Sequence, residues 1–374
     1  MLALPLLALV AGSIVYCLLT VLAAVRYRGV RPVKVEDPPP LSILKPLAGA
    51  DDGLEENLCS FFEQSYPSFE ILFAVRSPLD AAIPVVERLQ ERYPRVRSRL
   101  LVTGEPPYSN AKVYSLHRML ALARNDLVVM SDSDVRVAPD LLSAVAAEFQ
   151  DEKVGLVTCP WRAVPGRGFW SMLEAVGLNT GFMAGVLVAR LLVGMKFALG
   201  PTIAARRKAL SDIGGFDAVK DYLAEDFVMG KLVAAQGYRV VLSSSVIQHR
   251  IGAQNFKENL QHRLRWCRSS RRSRPWGYVG EIFTHTLPLG LVMVAAHPAW
   301  WPWFAAAVAV RAAAAWATAG YALHDPLTRR RWFLVPLQDL AQFVVWIAGF
   351  FGNTILWRGR KYLLLPDGRF EIVP

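Results

Sequence analysis

Residues Ser131-Asp132-Ser133-Asp134 set two carboxylates one residue apart, directly after an apolar run at 127–130. Carboxylate oxygens are hard ligands suited to Mg²⁺ or Mn²⁺, and a cation held there can neutralise a departing diphosphate. On its own the pair is as much a turn former or helix cap. A second pair, Glu225-Asp226, opens a segment that reads as a short helix ended by Gly237 and followed by a strand at 238–243. Two acids in a first turn complement the helix dipole; opposite a metal, one of them can instead take the proton of an attacking hydroxyl. Third, His262-Arg263-Leu264-Arg265-Trp266 begins a dense basic run at the edge of an apolar segment. Such a run suits a lipid surface, while a guanidinium beside an indole can also grip a diphosphate and wall a pocket. In chain order the three patterns compose one transfer site.

A sheet must present them. Short apolar runs at 41–44, 70–75, 99–102 and 127–130 read as buried strands, separated by amphipathic segments such as 81–93. That alternation predicts an α/β fold with a mostly parallel sheet and its chemistry just beyond the carboxyl ends of the strands. No internal repeat is evident, which excludes a solenoid.

Of 374 residues 53% are hydrophobic and 11 are Trp, a balance outside the ordinary soluble range. Residues 1–25 hold no charged side chain and suffice to cross a hydrocarbon core as a helix. A cleaved leader would show a basic stretch before the apolar run and a cleavage site after it, so 1–35 is expected to be an uncleaved transmembrane anchor. Arg26, Arg28, Arg31 and Lys34 then place the following residues in the cytoplasm. The net charge of +11 points to anionic lipid headgroups and not to nucleic acid, because the basic residues at 26–34 and 263–274 crowd beside apolar segments. Cys17, Cys59, Cys159 and Cys267 have no paired spacing and are read as reduced thiols, with neither a disulfide framework nor a zinc site.

A proline-rich joint at 35–40 opens the α/β domain, expected over 36–275. Inside it, 169–199 is apolar but interrupted by Glu174, Arg190 and Lys196 and loosened by glycines, and is expected to lie on the bilayer surface. Membrane helices are expected over 276–357, from apolar stretches at 282–296, 299–323 and 333–357. The last lies between two arginine clusters that both favour the cytoplasm, so it is expected to be broken or re-entrant. Arg311 and Asp339 could pair within the membrane, although snorkelling is the favoured expectation. Residues 358–374 alternate about Asp367-Gly368, which predicts a hairpin docked on the cytoplasmic domain.

Over about 41–276 the chain resembles the ceramide glucosyltransferases and their bacterial relatives, which share the nucleotide-sugar (GT-A-like) fold of the large inverting glycosyltransferase superfamily. The blocks that carry the resemblance are 43–47 (ILKPL), 110–116, 131–137 (SDSDVRV), 221–229 (DYLAEDFVM) and Arg265-Trp266. It implies a GT-A-like domain between an N-terminal transmembrane helix and C-terminal membrane helices. It also implies that Asp132 holds metal and diphosphate with Asp134 assisting, that Asp226 is the catalytic base, and that Arg265 and Trp266 end a (Q/R)xxRW motif. Lys45, Pro46, Asn110 and Lys112 would line the uridine and phosphate end of the donor pocket. Two positions depart from the family: Ser77 stands where an early aspartate holds the nucleoside, with Asp80 as a substitute nearby, and His262 stands at the head of the (Q/R)xxRW motif.

The expectation is a multi-pass protein of the bacterial inner membrane that moves a hexose from a UDP-sugar, with Mn²⁺ or Mg²⁺, to a ceramide-like membrane lipid. Nothing resembles an activated covalent nucleophile, so a single displacement is expected. Bacterial relatives that place N-acetylglucosamine on a hopanoid polyol leave the sugar and lipid open. A processive polysaccharide synthase would need a channel of more membrane helices. A non-enzymatic lipid-binding scaffold would not need Asp132, Asp134, Asp226 and Arg265 together.

Overall fold

The computed structural model of the chain describes residues 3–29, 35–357 and 359–373. Its central strands are β1 (Leu41–Pro46), β2 (Phe69–Val75), β3 (Arg97–Val102), β4 (Leu127–Ser131), β6 (Val154–Thr158), β8 (Thr202–Arg206) and β9 (Arg239–Leu242). They form a seven-stranded sheet in the order β3-β2-β1-β4-β8-β6-β9. Pairing is parallel except at β8, which runs antiparallel to β4 and β6. The apolar runs at 41–44, 70–75, 99–102 and 127–130 are the first four strands. Continuous apolar runs are what a strand covered on both faces requires. Helices Leu54–Phe62, Ile83–Arg92 and Leu141–Glu148 cover one face and Ala111–Leu120 and Glu225–Ala235 the other. A smaller sheet joins β5 (Val135–Arg136), β10 (Ile247–Ile251) and β7 (Trp161–Pro165), with β10 in the middle. It lays a late strand directly against the turn that follows β4.

Among the described residues, four helices are long and apolar enough to cross a membrane: Leu4–Arg28, Phe169–Val193, Pro298–Ala322 and Pro326–Gly349. A fifth crossing results if Pro275–Thr284 and Thr286–Ala296, bent by 62°, form one span. The first helix packs its N-terminal half against the far ends of the later ones, through Val10, Leu289, Met293 and Ala307. Its other end enters the α/β body, where the Tyr27 hydroxyl donates to the carbonyl of Ser243 at 2.9 Å. Of the basic residues expected after it, Arg31 and Lys34 lie outside the described residues.

Glycines do not break the segment at 169–199 as its sequence suggests. Phe169–Val193 is continuous, with one π-turn at Leu178–Phe182. It departs from β7 and returns to β8, so both ends attach to the α/β body. The segment expected to be broken at 333–357 is a helix as far as Gly349 and then becomes a strand, β11 (Thr354–Trp357). This helix also touches the body at both ends. Arg162 donates to the carbonyl of His324 at 2.9 Å before it, and Arg268 donates to that of Thr354 at 2.7 Å after it.

Arg311 does not snorkel. Its guanidinium donates to both oxygens of Asp339 at 2.8 Å, and both side chains are buried. A two-pronged fit to a carboxylate one helix away is stronger than a reach to distant water through apolar packing. Replacing Arg311 with Met should destabilise the protein by about 3–5 kcal/mol, because it strands a buried carboxylate. Melting in detergent checks this, and Asp339→Leu added to Arg311→Met should recover most of the loss.

The basic run at 263–274 is also less available to lipid than its sequence suggests. Arg263 donates to Gln338, Arg268 and Arg271 to carbonyls between Phe350 and Thr354, and Arg274 pairs with Glu281. The carbonyls just past the end of Val335–Gly349 have left the helix and need donors, and the facing arginines supply them. Beyond them β11, β12 (Arg360–Leu364) and β13 (Phe370–Ile372) form an antiparallel sheet. Its turn passes through Asp367 and Gly368, where φ is 88°. Arg358 lies outside the described residues. This sheet meets the α/β body: Phe370 donates its N–H to the carbonyl of Asp221 at 3.0 Å, and Tyr222 bridges to Arg369.

Candidate active site

The turn after β4 is pinned from beneath by Lys45. That side chain is fully buried, donates to the backbone carbonyl of Asp132, and lies over the Phe61 ring at 3.9 Å. Burial brings its pKa down to about 7, against the opposing pull of Asp132 and Asp134. With its ammonium spent there, Lys45 shapes the turn from beneath.

The side chain of Asp132 points to a different lysine. Lys112 Nζ lies 2.7 Å from Asp132 Oδ1 and 3.0 Å from Glu225 Oε1, so one ammonium joins the turn to the helix Glu225–Ala235. Burial alone would lower the Lys112 pKa, but the two carboxylates outweigh it and hold it above the usual lysine range. Lys112 therefore stays charged at every pH the protein meets. It lies in the first turn of the helix Ala111–Leu120, capped by Asn110, whose side chain accepts from Val113 N–H and donates to the carbonyl of Tyr222 at 2.9 Å. Asn110 thus ties the start of one helix to the loop that leads into the other.

Asp226 sits one residue beyond Glu225 and accepts backbone N–H bonds from Gly200 and Phe227. Loss of water and then the neighbouring Glu225 carboxylate push its pKa up to about 7, with Lys112 pulling the other way. A carboxylate poised there is matched to proton transfer near neutral pH. The fit is close: a Cβ at Gly200 would lie 2.9 Å from Asp226 Oδ2, and one at Gly230 only 2.4 Å from the backbone nitrogen of Ala198. Gly200→Ala should therefore displace the Asp226 carboxyl and cost about tenfold or more in turnover while the fold persists. Steady-state kinetics beside a melting curve separates the two.

Asp134 turns the other way, with Oδ2 3.2 Å from His249 Nε2. The β5–β10 pairing sets His249 opposite Val135 and so delivers it to the turn. Burial would raise the Asp134 carboxyl, but His249 outweighs it and holds the pKa below the usual range. Asp134 Oδ1 is enclosed and has no hydrogen-bond partner among the described residues. An unpaired, ionised oxygen beside a second carboxylate fits a hard divalent cation. No group of three His, Cys, Asp or Glu side chains is arranged to hold a metal among the described residues. A cation here would have to complete its coordination with ligand oxygens, as Mg²⁺ does with phosphates. Asp132 and Asp134 retain 28% and 37% of their side-chain surface, so a ligand can reach the pair.

His249 continues into an aromatic wall: Trp161 lies 5.1 Å from it, Trp266 6.3 Å from Trp161, and Phe182 5.2 and 5.5 Å from Trp161 and Trp266. Arg265 places its guanidinium 5.9 Å from the Trp357 ring, on the C-terminal sheet that pairs with residues 221–222. Lys112 thus links Asp132 to Glu225, the neighbour of Asp226; Trp266 joins through Trp161, His249 and Asp134, and Arg265 stands beside the sheet that pairs with the loop before Asp226. Pro46 ends β1 half-buried. Asp80 accepts N–H bonds from Gly49 and Ala82, each at 2.9 Å, and so fixes the loop after β1, while Ser77 accepts from Leu79. Sequence reasoning did not find His249, Trp161, Phe182, Gly200 or Trp357. Strand pairing and backbone approach deliver them, and no local spacing signals either.

The mostly parallel sheet, with a carboxylate pair, a lysine and a second acid pair beyond its central strand, has the nucleotide-sugar-binding, GT-A-like fold. The family model of Glycosyl transferase family 21 matches residues 5–370, and the chain belongs to that family. It is 30% identical over 264 residues to ceramide glucosyltransferase 1 of Caenorhabditis elegans, covering 70% of this chain and 56% of that protein. Ceramide glucosyltransferase 3 of the same organism is 26% identical over 383 residues, covering 99% of this chain and 83% of the relative. Among solved structures the fold is similar to the mannosyltransferase PcManGT from Pyrobaculum calidifontis in complex with GDP-Man and Mn²⁺. That likeness has a TM-score of 0.55 and 22% identity over 93% of this chain and 99% of the other.

Proposed function

We propose that this chain moves a hexose, glucose in the first instance, from a UDP-sugar to the hydroxyl of a ceramide-like membrane lipid, with inversion at the anomeric carbon. The observation that carries the reading is the single lysine, Lys112, bridging Asp132 to the acid pair that contains Asp226, in a chain whose relatives are ceramide glucosyltransferases. Asp132 and Asp134 would hold a Mn²⁺ or Mg²⁺ ion, which supplies charge neutralisation at the diphosphate. Lys112 faces the same diphosphate as a permanent cation and stabilises it as the sugar leaves. Asp226 takes the proton of the acceptor hydroxyl as its oxygen bonds to the anomeric carbon and the bond to the diphosphate breaks. Trp266 walls the acceptor, and Arg265 closes the diphosphate end.

The acceptor enters from lipid. The helix Phe169–Val193 begins and ends on the α/β body, which favours a place on the bilayer surface, and exposed Trp276, Trp332 and Phe351 suit the same interface. The catalytic domain would face the cytoplasm of a bacterial inner membrane. The test is mass spectrometry of lipids after incubating purified protein and Mn²⁺ with UDP-glucose or UDP-N-acetylglucosamine, in vesicles that contain ceramide or a hopanoid polyol. A ceramide heavier by one hexose supports the reading. A product only with UDP-N-acetylglucosamine and the polyol replaces its donor and acceptor, and long polymers or no product reject it.

A further inference from the structure

The departure at the head of the Arg-Trp motif has a partner elsewhere in the chain. His262 Nδ1 lies 2.6 Å from Oε1 of Glu174, and the His262 ring stands 5.6 Å from that of Trp266. Glu174 is 3% exposed, and its other oxygen accepts from Asn259 at 2.7 Å. Asn259 lies one helical turn before His262 on Phe256–Ser273, so one carboxylate grips two successive turns of the helix that carries Trp266. Glu174 itself belongs to Phe169–Val193. A few residues on, the same helix carries Asn179, which clamps Ala163 of β7 on both its N–H and its carbonyl, and Phe182, which packs on Trp266. A buried acid within an apolar helix is costly unless it is matched, and here it is matched only by groups on the helix of Trp266 and by nearby polar side chains.

We propose that Glu174 is a positioning residue for the acceptor. Through His262, whose ring packs beside the indole, it holds the orientation of the Trp266 ring, so that the helix taken to lie on the membrane fixes the indole against which an incoming lipid is held. This rests on the lipid-acceptor reading above. Neither residue touches the Lys112 cluster, and Arg265 has its own anchor against the Trp357 ring, so the effect falls on the acceptor and far less on the donor.

The test is a double-mutant cycle on purified protein in lipid vesicles, with acceptor KM, donor KM, kcat and acceptor-independent UDP release all measured. Glu174→Ala and His262→Ala should each raise the acceptor KM about tenfold, the loss expected for one hydrogen bond to a charged group. Donor KM and UDP release should stay near wild type. The double variant should be no worse than Glu174→Ala, because the contact that His262→Ala removes is already gone there. His262→Gln, whose side-chain N–H can still donate to Glu174, should restore most of the acceptor affinity, and this variant guards against a general loss of folding. Wild-type acceptor KM in both alanine variants, additive losses, or an equal rise in donor KM would overturn the proposal. If wild-type protein itself forms no glycolipid, the reading of function fails first, and that result is distinct from a failed cycle.

Discussion

Asp226→Asn lowers kcat for glycolipid formation by about 10²–10⁴-fold and leaves the donor KM and the melting temperature near wild type. That range is what a positioned proton acceptor contributes to a transfer. Asn keeps the shape of the side chain and an oxygen to accept the Gly200 and Phe227 N–H bonds, so the close approach to Gly200 survives. What disappears is the capacity to bind a proton. The pH profile separates this from a packing effect. The Asp226 carboxyl is held up to about 7, and only its ionised form can serve as base, so kcat/KM of the wild type should rise with pH through about 7 and then level off. The residual activity of Asp226→Asn should lack that inflection. An inflection that persists in the variant would assign it to another group, with Asp226 no longer the base.

Lys112→Met should be nearly as severe, with a fall of about 10²–10³-fold in kcat/KM for the donor, the loss typical of deleting one fixed electrostatic contact to developing charge. Its ammonium neutralises Asp132 and Glu225 at once, so its removal leaves two carboxylates facing the diphosphate. The signature is that UDP alone should also bind more weakly, which titration calorimetry measures. Unchanged UDP affinity in Lys112→Met would place the diphosphate elsewhere.

Much of this site is legible in the chain because its members are local. Asp132 and Asp134 follow a buried strand immediately, and Glu225-Asp226 opens a helix at a sheet edge, so period and position alone place them. The partners are not local. His249 reaches Asp134 only because β10 pairs with β5, and Glu174 reaches His262 only because two helices cross, contacts separated by 115 and 88 residues. The membrane region was harder for another reason. In sequence Arg311 and Asp339 read as a candidate pair, with snorkelling favoured, and the gain from a two-pronged ion pair exists only when both helices are placed. The arginines of 263–274 likewise read as lipid-facing until the carbonyls near Phe350 are seen to need them. Lys45 shows the converse: its position in ILKPL was plain, while its complete burial beneath the turn was not.

A structure of the wild-type protein with UDP and Mn²⁺ tests the central claim most directly. The account predicts diphosphate oxygens within hydrogen-bond reach of Lys112 and sharing a metal with the Asp132 and Asp134 carboxylates. The Asp226 carboxyl should face the same space from the other side. Diphosphate bound away from Lys112, or Asp226 opening onto a separate cavity, would contradict it.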